Sequence, residues 1–166
     1  MAAQWFAGSF FFLQHAPGQS NAEFLFSMIS FRLSLAIPDV GKIIDEAVAK
    51  DPSIPMKALE IQLWKLILEP LQQSLEKSME PIVFIIDGLD ECEVKDMQSS
   101  VLRLLGSVFQ LPSIGGCDQI CFIVTSRPEP WIQDEFNIEP LSSVTQQIFL
   151  GQTSEANDDI WTFFFA

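Results

Sequence analysis

The densest group of reactive side chains lies where an apolar run meets acids, in Pro81-Ile82-Val83-Phe84-Ile85-Ile86-Asp87-Gly88-Leu89-Asp90-Glu91. The apolar residues lead straight into Asp87, which places its carboxylate at the carboxyl end of a buried parallel strand, where ligand crevices of open α/β sheets lie. Asp90 and Glu91 follow on the turn. A strand-end carboxylate can hold Mg²⁺, usually through water, while neighbouring acids orient or deprotonate the attacking water in phosphoryl transfer. Gly88 lets the backbone pass close to a phosphate or metal. The competing reading is an Asp-Gly turn with solvated acids. The spacing is not that of an EF-hand loop.

A second segment, Ile120-Cys121-Phe122-Ile123-Val124-Thr125-Ser126-Arg127-Pro128-Glu129-Pro130, is another buried strand ending in two hydroxyls and a guanidinium. If the two strands are neighbours, Arg127 and Asp87 emerge on one edge of the sheet. An Arg there can form charge-assisted bonds to a γ-phosphate. The alternative is a surface ion pair between Arg127 and a nearby acid. Other reactive residues read blandly: His15 as an exposed turn residue, Arg32 as a solvated or snorkelling charge, and Cys92 as a thiol with no cation to activate it. Trp64, Trp131 and the Phe cluster at 10–12 read as packing. Three cysteines without finger-like spacing argue against a zinc site, and their odd number against a disulfide framework.

Three nearly continuous apolar runs, Ser9–Leu13, Ile82–Ile86 and Ile120–Thr125, predict strands covered on both faces. Gln147–Leu150 is a weaker fourth. Helices are expected over Asn21–Ala36, capped by Ser20 or Asn21 and carrying Phe24, Leu25, Met28, Phe31 and Leu35 at helical spacing. Others are expected over Val40–Lys50, from about Pro55 through Leu59, Leu63, Leu66 and Ile67 to a kink or junction at Pro70, and over about Val94–Gln110. Leu111–Gly116 reads as a loop. The alternation of strands and helices predicts an α/β class with a mainly parallel sheet.

At 166 residues and 48 % hydrophobic, the chain has the size and apolar content of one domain. Nine basic against 22 acidic residues leave a net charge of −13, which repels phosphate backbones and anionic lipid and disfavours nucleic-acid and membrane-surface partners. No apolar run approaches the roughly 18–20 residues of a membrane span. The apolar stretch Trp5–Leu13 has no basic residue before it, so a signal peptide is not expected, and the reading is cytoplasmic.

Ile82–Glu91 resembles the NACHT form of the Walker B motif, an apolar strand ending in Asp-Gly-apolar-Asp-Glu. Val124–Pro130 is similar to the Thr-Ser-Arg-Pro sensor-1 segment of the same P-loop NTPases. Phe10-Phe11-Phe12, Pro17-Gly18-Gln19-Ser20-Asn21-Ala22, Asp51-Pro52-Ser53-Ile54 and Leu68-Glu69-Pro70-Leu71 resemble the corresponding stretches of fungal NACHT domains with a nephrocystin-like N-terminal module. The resemblance runs from about Ser9 to Phe164. It implies a single partial NACHT domain over 1–166, with Walker B at 82–91 and the sensor segment at 120–130, from a STAND-class signalling switch that controls oligomerisation. It further implies Mg²⁺ and ATP or GTP as cofactors, Asp87 as the Mg²⁺-associated acid, Asp90 and Glu91 as water-orienting catalytic acids, Arg127 as the phosphate sensor, and Thr125 and Ser126 shaping that strand end. Implied partners are copies of the chain or NLR-like proteins.

The family pattern also needs Gly-x-x-x-x-Gly-Lys-[Ser/Thr], and the sequence has none. Gly41-Lys42-Ile43 is the one Gly-Lys pair and has Ile where a hydroxyl is required. The chain therefore looks like a truncated core lacking the Walker A strand, with weak or absent ATP binding on its own. Without that strand the sheet should hold three strands with Ile82–Ile86 in the middle. Gln147–Leu150 should lie across a gap or beside Ile120–Thr125, and an apolar edge should be exposed as a docking or aggregation surface. Two other readings are a degenerate, non-enzymatic interaction module and a nucleotide-independent metal hydrolase; the latter lacks a nucleophile and further ligands.

Overall fold

The computed structural model describes residues 6–74, 82–111 and 120–150. Its strands are β1 (Phe6–Phe11), β2 (Ile82–Asp87) and β3 (Ile120–Val124), all parallel, in the order β1-β2-β3 with β2 central. This is the α/β class and strand order expected from the sequence, an open sheet compatible with a partial P-loop-type fold. Strand β1 begins three residues before the expected Ser9, where a register irregularity between Phe6 and Gly8 lets the ladder run further back, and it ends at Phe11, two residues before the expected Leu13.

Helices α1 (Leu25–Ala36) and α2 (Pro38–Lys50) follow β1. The expected start of α1 at Asn21 is corrected: Asn21 accepts the Glu23 N–H through its side chain at 2.9 Å, forming an Asx turn that delays the helix to Leu25. Pro38 both excludes continuation of α1 and opens α2 at its first position, where no N–H is needed. Helices α3 (Leu59–Leu63) and α4 (Glu69–Ser74) are joined by a π segment, Trp64–Leu68. Pro70 has no N–H to give to the preceding turn, and its ring would strike the carbonyl four residues back. The chain answers with a wider turn, in which Glu69 N–H bonds the Trp64 carbonyl five residues back, so the helical run continues across the proline. Helix α5 (Lys95–Val108) links β2 to β3, and α6 (Pro130–Phe136) and α7 (Leu141–Val144) follow β3.

Among the described residues the strands are covered on one face, not on both as their continuous apolar runs predict. Parallel neighbours share a face, and Phe84 and Phe122 stack with centroids 5.5 Å apart on the covered one. A Cβ on Gly8, in register with Phe84, would meet α1 at Arg32 and Ile29, while Phe109 beyond α5 sets its ring edge-on to Phe122. Both crossovers thus lie on one side. Right-handed β-α-β units that step in one direction across a sheet must do so. On the other face Phe6, Phe11, Cys121 and Ile123 are exposed, and Val83 and Ile85 half-buried. Gln147–Leu150 is not a strand: it pairs with nothing in the sheet, and Ile148, Phe149 and Leu150 stand in solvent, where neither ladder bonds nor packing hold it extended. Most of the expected Leu111–Gly116 loop lies outside the described residues.

The core joins Phe10, Phe84 and Ile86 of the sheet to Phe26, Ile29 and Leu33 of α1, Leu66, Ile67 and Leu71 of the long helical run, and Val101, Leu102 and Leu105 of α5. Gly41 sets the spacing of α1 and α2, because a Cβ there would lie 2.8 Å from the Ser34 carbonyl oxygen and 3.2 Å from its Cα. These are backbone atoms, which cannot step aside as a side chain can. Gly41→Ala should therefore destabilise the fold by about 1–3 kcal/mol in urea unfolding, and an unchanged midpoint would contradict this close approach.

A second expectation concerns acid. Asp51, after α2, accepts Lys57 Nζ, Ser53 Oγ at 2.5 Å and Ser53 N–H at 3.1 Å, and these donors, Lys57 first, hold its carboxyl down from 3.8 to about 2. A depressed carboxylate stabilises the fold above its unfolded value and loses that contribution as pH falls through the folded one. Stability should decline between about pH 4 and pH 2, and Asp51→Asn should flatten that part of the acid limb in a pH series of thermal melts.

Candidate functional site

The carboxyl edge of the sheet gathers five of the six candidate site residues, Asp87, Asp90, Glu91, Thr125 and Arg127. Asp87 ends β2, and past it Gly88 adopts a left-handed conformation at φ 70°, which suits a residue without Cβ. Here the close approach is to the chain itself: a Cβ on Gly88 would lie 3.3 Å from the Phe12 carbonyl oxygen. The tight turn Leu89–Glu91 then points its acids back towards the neighbouring strands.

Each acid is engaged by a different segment. Thr125 Oγ1 donates to Asp87 Oδ1 and accepts the Gly88 N–H at 3.0 Å. Asp90 Oδ1 accepts the Arg127 N–H at 2.9 Å, and Arg127 Nε stands 3.4 Å from Asp90 Oδ2. Glu91 Oε2 accepts the Gln14 N–H at 3.1 Å, from the loop after β1. Backbone bonds run beside these, from Phe12 N–H to the Asp87 carbonyl (2.9 Å), Leu89 N–H to Thr125 (3.0 Å) and Thr125 N–H to Ile86 (2.9 Å). Ser126 Oγ donates to the Arg127 carbonyl at 2.8 Å and stays on its own loop. Asp87, Asp90, Glu91, Thr125 and Arg127 are thus brought together, and the ion pair weighed as the alternative for Arg127 is present. The Arg127 side chain is nevertheless 76 % exposed, which leaves its guanidinium on the solvent side of Asp90.

Among the described residues no group of three or more His, Cys, Asp or Glu side chains converges as a metal site. Asp87 can still offer Oδ2, the oxygen Thr125 does not occupy, and a hydrated Mg²⁺ needs no more than one or two protein carboxylates. His15 is exposed with Nδ1 3.5 Å from Glu93, so it lies on the rim. Cys92 is buried, and desolvation pushes its thiol up from the ordinary value. That suits an inert packing residue.

Sequence reading passed over the polar support beneath the turn. Gln98 is buried on α5, donates to the carbonyls of Asp90 (3.2 Å) and Cys92 (2.6 Å), and accepts Trp131 Nε1–H at 2.7 Å. Lys95 Nζ lies 3.7 Å from the Trp131 ring centroid. Nearby, buried Glu135 of α6 takes two bonds from Arg103 of α5, one of them from Nε at 3.0 Å. These contacts fix α6, and with it the Thr125–Arg127 segment, against α5. The signal was legible: position 98 falls on the same helical stripe as Val101, Leu102 and Leu105, and a polar residue there must find buried partners.

The family model described as Nephrocystin 3, N-terminal, matches residues 3–127. The chain belongs to that family. The match takes in β1, the acidic turn, β3 and Arg127. No curated protein and no solved structure matches the chain.

Gln98→Leu would strand two carbonyls and the Trp131 N–H without partners, at a cost of about 2–4 kcal/mol. Urea unfolding should show that loss, and hydrogen exchange should quicken at the Glu91 and Arg127 amides; unchanged exchange there would break the link between Gln98 and the acidic turn.

Proposed function

We propose that the chain is the metal and sensor side of a NACHT/STAND nucleotide-dependent signalling switch. The observation that supports this reading is the convergence of Asp87, Asp90, Glu91, Thr125 and Arg127 at the carboxyl edge of parallel strands, in a member of the nephrocystin 3 N-terminal family. In this reading Asp87 is the Mg²⁺-associated acid, Asp90 and Glu91 position water, Arg127 senses phosphate after parting from Asp90, and Thr125 and Ser126 shape the strand end. The nucleotide is ATP or GTP, the setting is the cytoplasm, and the partners are further copies of the chain or NLR-like proteins rather than nucleic acid or membrane. Among the described residues no helix is long and apolar enough to cross a membrane.

The residues fit the metal side and not the phosphate side. The sequence contains no Gly-x-x-x-x-Gly-Lys-[Ser/Thr] loop, so these 166 residues provide no N–H cradle and no phosphate-binding lysine of that kind. No hydrolytic step follows from them alone. A second reading, a non-enzymatic interaction module derived from the same core, is favoured by one observation: the acids already serve as acceptors that tie strand ends together.

Isothermal titration separates the two. The chain alone should bind Mg-ATP no tighter than about 1 mM. Joined to a strand, phosphate loop and helix carrying the missing motif, it should bind in a Mg²⁺-dependent manner that Asp87→Ala abolishes. Tight binding by the chain alone would overturn the predicted deficiency, and a joined protein that stays inert would favour the interaction module.

A further inference from the structure

One buried polar atom is left without a partner. Gln62 of α3 is 1 % exposed, and its Nε2 donates at 2.8 Å to the carbonyls of both Glu23 and Lys57. Those two bonds fix the amide, because turning it over would set Oε1 against two carbonyl oxygens. Oε1 is then enclosed with no donor, the one such side-chain atom among the described residues. Native structures rarely leave a buried acceptor unmet.

Glu23, Lys57 and Gln62 also line one cavity, of about 270 Å³. Its other walls are Phe24, Pro55, Met56 and Ala58, where the entry to α1 meets the turn Ile54–Met56 and the start of α3. The side chains of these walls offer a water none of the two to four polar partners it needs. They suit an apolar body instead, and Met56 is 77 % exposed without one.

Charge narrows the ligand. Lys57 gives its ammonium to Asp51 and Gln62 gives away its N–H groups, which leaves two acceptors on the cavity, Gln62 Oε1 and the Glu23 carboxylate. Glu23 makes its hydrogen bonds through its backbone, and its carboxylate takes none among the described residues. Two free acceptors call for a donor, and a full negative charge calls for a cation. The half charge at the start of α1 opposes a cation by less than Glu23 favours it. The net charge of −13 draws cations from further away.

We propose that this cavity binds a small primary ammonium with an apolar body. The nitrogen donates to Gln62 Oε1 with Glu23 as its counter-ion, and the body lies on Phe24, Pro55 and Met56, where the aromatic ring adds to the attraction of a cation. A volume just below the roughly 300–1,000 Å³ of drug-sized pockets limits that body to about one ring. The site shares no residue with the acidic turn and is independent of nucleotide.

Titration of the isotope-labelled full chain with phenethylammonium, followed by NMR at physiological ionic strength, tests this. Binding should appear with a Kd of about 1 mM, and should shift the Phe24, Lys57 and Ala58 amides together with the Gln62 side-chain N–H₂. Phenylpropionate, with a similar body and a carboxylate in place of the ammonium, should move none of them. Glu23→Gln should weaken the ammonium about ten-fold, whereas Glu46→Gln, which removes an acid outside the cavity, should leave it unchanged. Gln62→Leu would strand two carbonyls as well, so the Gln62 resonances of the unaltered chain read its part. Equal shifts with both ligands, shifts confined to the acidic turn, or an affinity that Glu23→Gln preserves would each overturn the proposal.

Discussion

The constraint on which this structure depends is the handedness of its crossovers. Both β1-to-β2 and β2-to-β3 step the same way across the sheet, and right-handed connections then place the helices that cover the strands, α1 and α5, on one face. That geometry makes β2 central, buries Phe84 and Ile86 beneath α1 and α5, and leaves the opposite face to Phe6, Phe11, Cys121 and Ile123. It also brings the carboxyl ends of all three strands to one edge, which assembles the acidic turn from segments distant in sequence.

The bare face and the exposed Met28, Phe31 and Leu35 of α1 are two forms of the same surplus. A chain that is 48 % hydrophobic with 15 Phe and no Tyr has much apolar area and few polar tips to end it in solvent. A one-sided, three-strand sheet covers only part of that area. The remainder lies along α1 and across the far side of the strands, while the acids are carried by the turns and the other helices.

Strand existence, sheet order and the placing of the acids at a strand end were legible because each rests on a local signal. The runs at 82–86 and 120–124 are too short and too β-rich to be helices, and each stops at a residue that ends a strand. What was not legible depends on distant neighbours. Continuous apolar character implied two covered faces, but coverage is decided by crossover direction, which no single strand encodes. In α1 apolar residues lie on more than one side, so spacing selected Met28, Phe31 and Leu35 together with Leu25, whereas the fold buries Leu25 with Phe26, Ile29 and Leu33. Pro70 announced a break, yet widening the preceding turn let the helix pass. Gln98 was visible as a polar residue on an apolar stripe, but its partners, the carbonyls of Asp90 and Cys92 and the Trp131 indole, come from other elements.

The acidic turn shows why structural and chemical readings of these residues are compatible. Three carboxylates within five residues repel one another unless donors are supplied. Here the donors come from three places: the Thr125 hydroxyl to Asp87, the Arg127 N–H to Asp90 and the Gln14 N–H to Glu91. Meeting the charge of the turn is therefore what draws the end of β3 and the loop after β1 onto β2. A hydrated cation at the free Asp87 oxygen would add to that neutralisation without displacing Thr125. Engaging Arg127 with an anion would instead draw its guanidinium from Asp90, although the Arg127 N–H could remain on Oδ1. The same contacts that hold the strand ends in register thus also meet the charge of the turn.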